Sequence, residues 1–152
     1  MSAEVSFSAM DVAAYFIELA SNIKENDLTN LKLQKLLYFA QSKYLSKYNA
    51  SLFKENIEAW SLGPVVREVY DVYKKCGSFP ITVFDRSGKW ASKAVIPSGI
   101  KIFLYGIWKE YGKYSASHLI SLTHKNGTAW SQTFKESGNN AVIPKELLKT
   151  CF

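Results

Sequence analysis

Cysteine and histidine are scarce in this sequence, and their scarcity removes most site chemistry at the outset. There are 2 of each in 152 residues. Cys76 and Cys151 have no metal-ligand spacing and make no disulfide framework, so reduced thiols are expected. His118 and His124 miss the i, i+4 spacing that sets two ligands on one helical face, and no cysteine stands near them. Cys76 follows two lysines and Cys151 is next to the last residue, with no local signature joining either thiol to a histidine. The 8 glycines stand apart, so neither a phosphate loop nor a dinucleotide fingerprint is present. Acidic pairs such as Glu55/Glu58 and Glu68/Asp71 have the spacing of a solvated helix surface. No metal, no cofactor and no catalytic set are expected.

Long apolar runs are missing too. No stretch approaches the roughly 18 apolar residues of a membrane span. Met1 to Met10 carries Glu4 but no basic residue, unlike a secretory signal. The expectation is a cytoplasmic protein with no membrane partner. Charge is sparse at 21%, below the usual share of about 25%, and apolar residues are ample, which excludes a disordered chain. The net charge of +6 is not concentrated: Lys101, Lys109, Lys113, Lys125, Lys135, Lys145 and Lys149 fall singly. A basic arm for nucleic acid would be denser and richer in Arg. Lys43-Tyr44 and Lys47-Tyr48 could stack on bases, but Tyr44 sits on an apolar stripe. The charge is a bias toward acidic partners, and nucleic acid is not the expected one.

What the sequence does contain is apolar periodicity. It predicts a mostly α (α+β) fold, a single compact domain over residues 1–152, with a central two-sided helix and a small β-hairpin. A first helix opens at Ser8, with Asp11 completing a capping-box variant, and Val12, Phe16, Leu19 and Ile23 form its stripe. Thr29 caps a long second helix through about Tyr48. Here Leu33, Leu36, Leu37, Ala40 and Tyr44 form one stripe. Leu31, Tyr38 and Leu45 form another, about 140° away and interleaved with Gln34 and Gln41. Such a helix is either buried on two sides or offers a second face to a partner. Ile57 to Trp60 reads as extended. Gly63-Pro64 reads as the start of a third helix, with Pro64 at its first position, an apolar side of Val65, Val66, Val69, Tyr70 and Tyr73, and Gly77 as its cap. Ile81–Phe84 and Trp90–Ile96 read as a hairpin. Helices follow from Pro97 to Gly112, from Ser115 to Thr123, from Thr128 to near Gly138, and for a turn or two after Pro144.

Four blocks carry a resemblance. They are Ala14-Tyr15-Phe16-Ile17; Leu31 through Gln41 (LKLQKLLYFAQ); Phe53 with Ile57-Glu58-Ala59-Trp60, Gly63-Pro64-Val65 and Val69-Tyr70; and Leu122-Thr123-His124 with Trp130. In order and spacing they resemble the Panacea domain, also called the SocA-like antitoxin domain, over about residues 10–135. The resemblance implies a prokaryotic or phage antitoxin that neutralises a cognate protein toxin by direct binding. It implies a protease as a further partner if the chain belongs to the branch that delivers its toxin for degradation. The family serves toxins of unrelated folds, so a role is implied and not a target. Trp60, Gly63, Pro64, Tyr70, His124 and Trp130 are its motif residues, as structural anchors or binding groups. Leu31, Gln34, Lys35, Tyr38, Gln41 and Leu45 on the second helix, with Arg67, are the candidate partner-binding residues. Arg67 and Ala129 stand where the family often has Pro. The alternative reading is a nucleic-acid-binding regulator of its own operon.

Overall fold

The structure is a computed structural model that describes residues 8–85 and 96–152. Helix α1 spans Ala9–Ser21. The Ser8 hydroxyl accepts from the Asp11 N–H, and the Asp11 carboxylate accepts from the Ser8 N–H at 2.8 Å. Two first-turn donors are thereby satisfied reciprocally. Helix α2 spans Asn30–Tyr48, capped by Thr29 and closed by Asn49 in the left-handed region at φ 53°. Every residue from Lys32 to Ser42 is buried. Five helices and one strand pack around this element, so its two stripes arise from burial on both sides.

Strands β1 (Glu58–Trp60) and β2 (Gly63–Val65) pair antiparallel, with Ala59 opposite Pro64 and Trp60 opposite Gly63. Strand β3 (Ala141–Val142) joins the other edge of β1. The hairpin therefore lies at residues 58–65. Pro64 does not open a helix: it sits in an edge strand, where a missing N–H is tolerated. Helix α3 begins only at Arg67 and runs to Tyr73. A 3-10 turn, Lys74–Cys76, extends it to Gly77 at φ 58°.

The first arm of the expected later hairpin is also corrected. Val83–Asp85 is a 3-10 turn, folded by the Asp85 carboxylate accepting from the Thr82 N–H at 2.8 Å. Ile81 bonds to the α1–α2 loop, its N–H to the Leu28 carbonyl at 2.8 Å and its carbonyl to the Asn26 amide at 3.0 Å. The second arm, Trp90–Ile96, lies outside the described residues except for Ile96, which is buried. Helices α4 (Ser98–Tyr111), α5 (Ala116–Thr123), α6 (Ala129–Ser137) and α7 (Lys145–Thr150) follow where spacing and caps place them. The fold is mostly α with a small antiparallel sheet. Among the described residues no helix is long and apolar enough to cross a membrane.

Candidate functional site

Six polar residues of α2, Asn30, Lys32, Gln34, Lys35, Gln41 and Ser42, are buried. Gln34 donates to Asn30 at 2.9 Å and accepts from the Val66 N–H at 2.9 Å, which fixes the chain between β2 and α3. Gln41 donates to the Phe53 carbonyl at 2.8 Å and accepts from the Leu52 N–H at 2.7 Å, holding the loop that leads into β1. Lys32 is buried and donates to Asp27 at 2.8 Å and to the Gly112 carbonyl at 2.6 Å. Tyr38 is fully enclosed and Leu45 nearly so. Gln34, Lys35, Tyr38, Gln41 and Leu45 thus belong to the interior of the free chain, which is the two-sided burial that the double stripe allows. At Tyr38 the short α7 segment supplies cover: α7 packs on α2, Lys149 bonds Asn49 at 2.6 Å, and Cys151 lies near the Tyr38 phenol. Leu31 is half-buried and Arg67 exposed.

Lys35 is the anomaly of this helix. Its ammonium is buried without a hydrogen-bond partner among the described residues, and burial lowers its pKa to about 7. Gly63, at φ 111°, lies directly over it: a Cβ there would stand 2.7 Å from Lys35 Cε and 3.1 Å from Thr123 Oγ1. The His124 ring is close enough that, after burial itself, the Lys35 charge is the next cause holding its pKa below the ordinary value. His124 Nε2 is buried and unpartnered as well. The imidazole stacks on Trp130 at 3.9 Å and 9°, and Trp130 stacks on Phe134 at 4.8 Å. Trp130 Nε1 donates to the Trp60 carbonyl at 2.7 Å, which ties α6 to β1. Lys35, Gly63, Trp60, His124 and Trp130 therefore meet in one knot joining α2, the hairpin and the α5–α6 corner. Pro64 is buried beside it and Tyr70 lies at the surface edge. Among the described residues, no three His, Cys, Asp or Glu side chains gather as a metal site.

The outer side of the hairpin carries a second cluster. Trp60 Nε1 donates to Glu58 at 2.9 Å. Arg67 donates to both oxygens of the same carboxylate, at 3.1 and 2.8 Å, and its guanidinium lies 5.3 Å from the Trp60 ring. Those bonds hold the Glu58 carboxyl below its ordinary pKa. Tyr70 meets Trp60 edge-on at 4.9 Å. Next to Tyr70 opens a groove of about 420 Å³ lined by Thr29, Asn30, Leu31, Leu62, Tyr70, Lys74, Gly77, Ser78 and Ala116. Leu31 and Tyr70 are thus brought together. In the sequence Lys74 reads as a charge at the C-terminal end of the third helix, and Leu62 and Ala116 by themselves carry no signal of a site. An exposed leucine at a hairpin apex was the available signal, and it was hidden by reading Pro64 as a helix start.

The chain is similar to known proteins over most of its length. The profile described as Antitoxin SocA-like, Panacea domain, matches residues 33–131, a span from α2 through Trp130. Antitoxin SocA of Caulobacter vibrioides (strain NA1000 / CB15N) is 31% identical over 147 residues, covering 89% of this chain and 74% of that protein. No solved structure matches.

Proposed function

We infer the role from one premise: the chain belongs to the family of SocA-like antitoxins with a Panacea domain. It neutralises a cognate protein toxin in the cytoplasm by binding it directly, as an interaction protein without turnover. Family membership across the residues that build the α2–hairpin–α6 knot carries this reading. The placement of the motif supports it in a further way. Lys35, Gly63, His124 and Trp130 are inside the domain, where they frame the hairpin and α3 and leave the outer surface to meet a partner. An exposed groove with apolar walls is the type of surface that marks a protein contact.

The test is co-expression with the product of the adjacent reading frame. Restored growth and a co-purifying complex are the expected result. A toxic neighbour that is neither rescued nor bound by the folded protein would overturn the reading. The toxin's half-life in the same cells separates two mechanisms. Masking alone leaves it unchanged, whereas a proteolytic adaptor shortens it in a protease-dependent manner.

A further inference from the structure

We propose that the groove between the first turn of α2, the hairpin apex and α3 is the toxin-docking surface, and that its occupant is an acidic, apolar segment of the toxin. The proposal rests on the antitoxin reading and adds the place and the chemistry of the contact. The volume, about 420 Å³, suits one or two large side chains and falls in the usual range for binding pockets. Its apolar walls are Leu31, Leu62 and Tyr70. Leu62 is 56% exposed, a large apolar side chain held out at the turn between two paired strands. Seating it against a partner removes apolar area from water without rearranging the fold.

Charge selects the occupant. Among the described lining residues none is acidic, and Lys74 is the charged one. Its contact with Asp71 is long, 3.8 Å, and exposed on both sides, so the ammonium is available. Two helices start at the groove, α2 with Thr29, Asn30 and Leu31, and α5 with Ala116. Neither has an acidic residue in its first turn. Thr29 caps the Lys32 N–H and Ser115 the His118 N–H, so the positive ends of both helices add to the Lys74 charge. A carboxylate beside an apolar side chain answers this surface, whereas a basic segment is repelled by it. The wall is also set in advance: Asn30 donates to the Tyr70 carbonyl at 3.0 Å, joining α2 to α3, so little ordering is needed on binding.

The experiment measures affinity for the purified toxin and melting temperature for Leu62→Glu, Lys74→Glu and, on the exposed face of α4, Ile102→Glu. Leu62→Glu and Lys74→Glu are expected to weaken binding at least tenfold with melting temperatures unchanged, and Ile102→Glu to leave binding intact. A photo-crosslinker at position 62 is expected to capture an acidic segment of the toxin. If the wild-type protein binds and both groove variants bind as tightly, the groove is not the site and the antitoxin reading stands. Capture of a basic segment overturns the choice of occupant. If the wild-type protein neither binds nor protects, the antitoxin reading itself fails.

Discussion

At Lys35 an ammonium lies buried under a glycine, without a hydrogen-bond partner among the described residues, and a group so placed makes stability depend on pH. Its pKa in the folded chain is about 7 against 10.5 for an ordinary lysine. Between those values the unfolded chain holds the extra proton, so this group's contribution to stability rises with pH. It is fully present above pH 10.5 and is lost as pH falls toward 7. Denaturant titrations at pH 7 and pH 9.5 should therefore find the wild-type protein more stable at the higher value. Lys35→Met should flatten that difference and raise stability at pH 7 by about 1–3 kcal/mol, since a buried ion replaced by an apolar side chain of similar volume is often stabilising. An unchanged pH slope in the variant would show that the ammonium finds a partner. His124 acts in the same sense lower down: its pKa is depressed below 6.5, so its contribution is lost as pH falls through that region.

Among the elements, α2 decides the most. Tyr38 is enclosed between this helix and the α6–α7 end of the chain, with its phenol pKa pushed up by burial. Tyr38→Glu should cost several kcal/mol of stability, because it takes a carboxylate out of water into a fully buried position. A thermal melt of the free variant checks this, and lost protection would then follow from unfolding. Periodicity alone shows that α2 has two apolar stripes but not what covers the second. At Tyr38 the cover includes the α7 segment, about 100 residues later in the chain. The same limit hid β3, which is two residues long and held by the Asn140 N–H on the Ala59 carbonyl at 2.7 Å and the Ile143 N–H on the Ile57 carbonyl at 2.8 Å. Pairing across some 80 residues leaves no local pattern. Caps were legible because they are local: Ser8, Thr29, Ser115 and Thr128 each accept from an N–H three residues ahead. Family motif residues were legible as a set, yet the groove was not, because Leu62 acquires its position only once β1 and β2 pair.

For the whole molecule the relevant quantity is the net charge of +6 and its scatter. With lysines placed singly, duplex DNA should bind weakly, without sequence preference, and with a steep loss as salt rises. Fluorescence anisotropy with the chain's own promoter and a scrambled duplex at two salt concentrations measures this. Tight binding that only the promoter competes would favour an autoregulator. Toxin binding through the groove should lose less with salt, since the apolar walls contribute a share that ions do not screen.

The placement of α7 has a consequence during synthesis. Tyr38 and Leu45 leave the ribosome long before Lys145 to Phe152, and chains generally fold from the N-terminus as they emerge. Until α7 arrives, Tyr38 lacks part of its cover, and a mostly helical protein inherits the slow closure that distant contacts impose. Translation that stalls before Lys145 would leave a nascent chain with a partly bare leucine–tyrosine ridge, a surface that chaperones and proteases recognise.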